Sequence, residues 1–151
     1  MDAPGIEGFG HIDLTVTDVD RTVRWWEEVM GFTLVNTRDT PDFKLRSVIH
    51  PSRFFIGFMS HTHPASDRFD ERAVGLDHFA LRVADRATLD AWVGRFDELG
   101  VEHSGVQEEQ AGPVVVFRDP DNIQFELWAF DPTMVRRGLN ATPMSEAPPT
   151  G

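Results

Sequence analysis

The chain of 151 residues has six histidines and 25 acidic side chains but neither cysteine nor tyrosine. Thiolate nucleophiles, disulfides and cysteine-based zinc or iron–sulfur sites are therefore excluded, and any metal must be held by imidazole and carboxylate. The lack of tyrosine also removes one general acid. Two of the histidines recur in matching surroundings. Gly8-Phe-Gly-His11-Ile-Asp-Leu14-Thr-Val16-Thr-Asp18 aligns with Gly75-Leu-Asp-His78-Phe-Ala-Leu81-Arg-Val83-Ala-Asp85 at an offset of 67, with five identities in eleven positions. A second match, at an offset of 69, sets His50-Pro51-Ser-Arg-Phe-Phe-Ile56-Gly57-Phe58 against Asp119-Pro120-Asp-Asn-Ile-Gln-Phe125-Glu126-Leu127, and the same offset pairs Gly31 with Gly100. A lone strand histidine is ordinarily a hydrogen-bonded structural residue, but one that recurs with its neighbours is a better ligand candidate.

The elements that must position these residues follow the same order in both copies. An alternating strand (Ile12, Leu14, Val16; then Phe79, Leu81, Val83) leads into a helix. In the first copy Asp18 or Asp20 caps the helix, Val23, Trp26 and Met30 fall near helical spacing, and Gly31 ends it. In the second, Asp85 caps, Leu89, Trp92, Val93, Phe96 and Leu99 mark the apolar face, and Gly100 is the stop. Three further strands are predicted in each copy, over 32–36, 43–50 and 53–60, and over 101–106, 113–118 and 123–130, with Asp119-Pro120-Asp121-Asn122 as the turn between the last two. The fold class is α+β, two tandem βαβββ modules at 6–66 and 73–130. A short extension (1–5), a polar linker (67–72) and a proline-rich flexible tail (131–151) complete the chain.

Side chains alternate across a strand, so packing Ile12, Leu14 and Val16 under a helix turns Phe9, His11, Asp13 and Thr15 to the opposite face. The same logic puts His78, Ala80 and Arg82 there, and in the last strand Gln124, Glu126 and Trp128. An ionised Glu126 within Ile-Gln-Phe-Glu-Leu-Trp-Ala-Phe is costly to bury without compensation. Arg82 could supply that compensation as a structural ion pair. A metal would also use the two repeated histidines. Trp25, Trp26 and Trp92 read as core or interface aromatics at helical positions.

Formal net charge is −11, which argues against nucleic acid or an anionic membrane as partner and for a small molecule. No basic region precedes an apolar stretch and no apolar run reaches membrane-spanning length, so a soluble, cytoplasmic protein is expected. With 12 Phe and 4 Trp, apolar surface exceeds what two short helices shield, which favours a homodimer.

The repeated βαβββ order, the Gly-x-x-His entries at His11 and His78, and the ending Arg118-Asp119-Pro120-Asp121-Asn122…Phe125-Glu126-Leu127 resemble the vicinal oxygen chelate superfamily, also called the glyoxalase/bleomycin resistance/extradiol dioxygenase superfamily. The resemblance covers about residues 6–130. It implies modules whose mixed sheets curl around a shared cavity, with metal ligands from the first and last strand of each module: His11, His78 and Glu126. The remaining ligand position falls on Gly57, which has no side chain. His61 lies four residues further along the strand, about 13 Å away; it and His63 either line the cavity mouth or belong to a solvated loop.

Two imidazoles and one carboxylate leave open positions on one divalent metal ion, with Fe, Mn, Zn, Ni and Co all suited. The function this implies is a metal-dependent enzyme chelating a small oxygenated metabolite through vicinal oxygens and stabilising an enolate-like intermediate, of lyase or isomerase type. Asp13 is the candidate general base, its alternative role being to orient a ligand imidazole, and Arg82, Gln124, Trp128, Gly57 and His61 are the candidate substrate-binding residues. One alternative is an Fe(II)-dependent dioxygenase of extradiol type, opposed by the lack of tyrosine. Fosfomycin-modifying relatives share the triad, but the cationic phosphonate pocket they need is not evident in so acidic a chain. Another alternative is a small-molecule binding or resistance protein without catalysis.

Overall fold

The computed structural model describes residues 9–131 and 133. The extension 1–5 and nearly all of the tail expected at 131–151 lie outside the described residues.

The element order is β1 (Ile12–Thr15), α1 (Val19–Met30), β2 (Thr33–Asp39), β3 (Phe43–Ile49) and β4 (Phe55–His61), then β5 (Phe79–Arg82), α2 (Arg86–Leu99), β6 (His103–Gln107), β7 (Val114–Arg118) and β8 (Gln124–Trp128). βαβββ thus occurs twice. Each set makes a four-stranded sheet, in the orders β1-β4-β3-β2 and β5-β8-β7-β6. The first strand of each set pairs in parallel with the last, and β2–β3, β3–β4 and β6–β7 are antiparallel, so both sheets are mixed. The two parallel registers repeat: Asp13 faces Gly57 in one and Ala80 faces Glu126 in the other.

Local signals explain the helices. Asp18 takes extended backbone and accepts from the backbone N–H groups of Asp20 and Arg21, satisfying donors that a helix start leaves open. These bonds hold its carboxyl below the usual range. Asp85 does the same for α2 through the Thr88 N–H at 2.8 Å. Gly31 and Gly100 end the helices at φ +73° and +67°, a left-handed conformation that side chains with a Cβ resist.

By packing, the described residues fall into two units. One runs up to His78 and includes Arg118–Gln124; the other comprises Phe79–Phe117 and the residues from Phe125 onward. In the first, α1 buries Val19, Thr22, Val23, Trp26, Val29 and Met30. Trp26 is fully buried and meets Phe32 edge-on at 5.0 Å and Phe58 at 5.5 Å between centroids. Burying a side chain of this size contributes about 1.5–3 kcal/mol. In the second, Phe96 packs on Phe117 at 5.0 Å, and Phe117 on Phe125 at 5.6 Å. Here α2 buries only Leu89 and Phe96 fully. Leu99, expected on the apolar face, is 40% exposed. At about 100° per residue it lies about 80° from the Leu89 line, on the flank of the stripe.

Candidate functional site

His11 immediately precedes β1, and its imidazole is 67% exposed. Leu14 and Val16 are buried, so the pleat turns His11 and Asp13 to the other side. His11 Nε2 stands 3.9 Å from Asp13 Oδ2, too far for a hydrogen bond. The Asp13 carboxylate lies over Gly57: a Cβ built on Gly57 would come 1.9 Å from Asp13 Oδ1 and 2.8 Å from its Cγ. The position that lacks a side chain is thus filled from the neighbouring strand.

His78 precedes β5 as His11 precedes β1. Its Nδ1 is 2.6 Å from Asp77 Oδ1, a pairing in which Nδ1–H donates to the carboxylate and the lone pair falls on Nε2. Glu126 sits mid-strand in β8, half-buried between the buried Phe125 and Leu127, which point to the opposite face.

The remaining candidates have more local partners. Gln124 Oε1 accepts from Arg118 Nη2 at 2.8 Å, and Arg118 is also held by Glu71, whose carboxyl this guanidinium keeps low. Arg82 places its guanidinium 5.6 Å from the Phe130 ring centroid, and Trp128 meets the same ring edge-on at 4.8 Å. His61, at the end of β4, lines a cavity of about 740 Å³ with Thr17, Lys44, Ser60 and Thr62. His63 is exposed and is not among that cavity's lining residues. The buried Arg46 is paired with Asp20 and Asp39 and is a structural cation.

Among the described residues, no group of three or more His, Asp or Glu side chains is placed to hold a metal ion. By type alone, the imidazoles of His11 and His78 and the carboxylate of Glu126 are donors that a divalent ion takes. His78 is oriented by a carboxylate, His11 has a carboxylate nearby, and Glu126 belongs to the face that faces away from α2's core contacts.

A polar cluster lies at Asp119–Asn122, where the sequence predicts a turn and carries part of the family resemblance but names no site residue. Asp121 is buried and accepts from the Thr17 N–H at 2.9 Å, the Thr17 hydroxyl at 2.5 Å and the Thr22 hydroxyl at 3.1 Å, and it pairs with Arg21 at 3.0 Å. Asp119 Oδ1 accepts from the N–H groups of Asp121 and Ile123, while its buried Oδ2 has no hydrogen-bond partner among the described residues. Two acidic residues flanking a proline in a run leading to a buried strand were the available signal. Burial, with a smaller contribution from the Asp121 charge, pushes the Asp119 carboxyl up to about 7, against the lowering effects of its two N–H donors and Arg21.

That shift has a stability consequence. Between an unfolded value of about 3.9 and the folded value, the native chain holds a proton that the unfolded chain has lost, so stability falls as pH rises through this window. Asp119→Asn resembles the protonated side chain. The variant should gain stability relative to the parent between pH 5 and pH 8, read from urea midpoints. An unchanged difference at the two pH values would contradict this.

Residues 8–127 match the Glyoxalase/Bleomycin resistance protein/Dioxygenase superfamily, and the chain belongs to it. It is 29% identical to lactoylglutathione lyase GLX1 of Arabidopsis thaliana over 136 residues, covering 83% of this chain and 45% of that protein. It is 30% identical to the fosfomycin resistance protein FosX of Mesorhizobium japonicum over 124 residues, covering 81% of this chain and 85% of that one. The chain spans less than half the length of the plant lyases it matches, 36% and 45%. Among solved structures, a glyoxylase/bleomycin resistance protein/dioxygenase domain from Frankia sp. EAN1pec superposes with a TM-score of 0.78 at 28% identity, covering 84% of this chain and all of that one. FosX of Listeria monocytogenes, solved with Mn(II) and 1S,2S-dihydroxypropylphosphonic acid, shares the fold with a TM-score of 0.67 at 21% identity, covering 87% of this chain and 99% of that one. No helix among the described residues is long and apolar enough to cross a membrane.

Proposed function

We propose that this chain is a cytoplasmic, divalent-metal-dependent enzyme that binds a small substrate through two adjacent oxygens and performs lyase or isomerase chemistry through an enolate-like intermediate. The observation that carries the reading is the repeated register: His11 and His78 enter equivalent strands, and Glu126 occupies a cross-strand position equivalent to that of Gly57 beside Asp13. His11, His78 and Glu126 are the proposed ligands. A divalent ion held by them supplies a Lewis acid for the adjacent substrate oxygens. Asp13, two residues beyond His11, is the group that accepts the substrate proton on a carboxylate oxygen. Arg82, Trp128 and Gln124 form the proposed wall for the remainder of the substrate. Membership of a superfamily whose relatives here include lyases and a fosfomycin resistance protein supports an enzyme.

The chain is further proposed to act as a homodimer, in which a site is completed by two modules of one chain or of two copies. Mixing His11→Ala protein with Glu126→Ala protein separates the cases, because only exchange between chains can restore an intact site.

The test is elemental analysis of protein purified without chelator, followed by a calorimetric screen of hydroxy-ketones, 2-oxo acids and catechols. About one divalent ion per site and turnover of a hydroxy-ketone or 2-oxo acid without oxygen uptake are expected. Oxygen uptake with a catechol would replace this reading with an Fe(II) dioxygenase. Ligand binding with neither metal nor turnover would replace it with a binding protein.

A further inference from the structure

We propose that Asp13 supplies, from β1, the metal-facing carboxylate that the internal repeat would place on residue 57 of β4, and that Gly57 is the residue that makes room for it. The inference rests on the metal-dependent reading above and adds a fourth donor to it.

The two modules present the same cross-strand pair with its members exchanged. In the second module the first strand contributes Ala80 and the last strand Glu126; in the first module the first strand contributes Asp13 and the last strand Gly57. Each pair holds one carboxylate and one small residue. The exchange is spatial as well as chemical, because the space where a Gly57 side chain would begin is already occupied by Asp13 Oδ1, at 1.9 Å from an ideal Cβ. Leu45 Cδ1, at 3.4 Å from the same point, is an ordinary neighbour, so the carboxylate is the group that fills the position.

The distance to His11 leaves room for an ion between the two side chains. Imidazole nitrogen and carboxylate oxygen bind divalent metals at about 2.0–2.2 Å, so two donors on one ion are separated by up to about 4.2 Å. His11 Nε2 and Asp13 Oδ2 are 3.9 Å apart, within that limit and beyond a direct hydrogen bond. Both side chains are partly exposed on the face away from α1, and among the described residues no cation other than the His11 ring pairs with Asp13. A carboxylate has two oxygens, so a metal-facing Asp13 keeps one available for the proton-accepting role.

Mn(II) alone is the probe, added to the full chain and followed by titration calorimetry and by the electron paramagnetic resonance signal of the free ion. Asp13→Ala should weaken Mn(II) binding by about tenfold or more. Asp13→Asn, which keeps the shape, should lose most of that affinity too. Gly57→Ala should also weaken binding although Asp13 is still present, because the new Cβ displaces the carboxylate. Combining Asp13→Ala with Gly57→Glu should restore affinity to within about threefold of the parent, since the carboxylate then stands on β4 as Glu126 does on β8. A purely structural Asp13 would not be rescued in this way. Parent-like affinity in Asp13→Ala, alongside a loss in His11→Ala, would overturn this assignment and leave the metal reading intact. Failure of the double variant to recover would overturn it too, and absence of Mn(II) binding by the parent chain would overturn both.

Discussion

Retention of a divalent metal is expected to fall by more than about a hundredfold when His11 and His78 are both replaced with alanine, and by more than about tenfold for Glu126→Gln. The two imidazoles are the nitrogen donors at the equivalent strand entries, and their loss leaves carboxylates that bind an intermediate divalent ion such as Mn(II) or Zn(II) far less selectively. Glu126→Gln keeps the side chain's size while removing its charge, so its effect isolates the electrostatic contribution. The Asp77 carboxylate should enhance the effect at His78 in particular, because accepting from Nδ1–H fixes the ring's orientation and leaves Nε2 to face a metal. Equilibrium dialysis with elemental analysis reads the result. Full occupancy in the double histidine variant would sink the ligand assignment.

Asp121→Ala should destabilise the fold by about 2–4 kcal/mol, since it leaves partly buried N–H and hydroxyl donors of Thr17 and Thr22 without their acceptor. The half-exposed Arg21 can rehydrate, which keeps the loss below that of a fully buried ion pair. Asp121→Asn retains a carbonyl acceptor for Thr17 and should lose less. Urea midpoints at pH 7 compare the three proteins; an Asp121→Ala midpoint equal to the parent's would mean that the cluster contributes nothing. The same contacts explain why Arg118–Gln124, although drawn from the second βαβββ repeat, packs with the first unit: Asp121 reaches back to Thr17 and Thr22, and the Phe69 N–H donates to the Asp121 carbonyl.

These cases mark the boundary of what the sequence carries. The element order was legible because each signal is local: alternation in Ile12–Val16, the caps at Asp18 and Asp85, and the glycines at 31 and 100 act within a few residues of themselves. The Asp121 cluster was not, because its partners lie 99 to 104 residues away and Asp-Pro-Asp-Asn reads equally well as a solvated turn. Gly57 was legible as a departure from the repeat but not as an occupied position. Alignment compares residues along the chain, whereas the group filling that space belongs to the strand alongside. Leu99 shows a smaller limit, since periodicity identifies a stripe without telling its centre from its flank.

The Asp13–Gly57 contact also constrains how this chain can change. With Asp13 in place, any side chain at 57 begins where its carboxylate lies, so a carboxylate restored to β4 competes with the one on β1 for the same space. The two substitutions are therefore coupled: Gly57 to Glu meets no carboxylate once residue 13 is small, while in the parent it turns the partly exposed Asp13 side chain aside. In evolutionary terms the pair is epistatic. A library that randomises position 57 alone would favour glycine, and the same library built on an alanine at 13 would relax that preference.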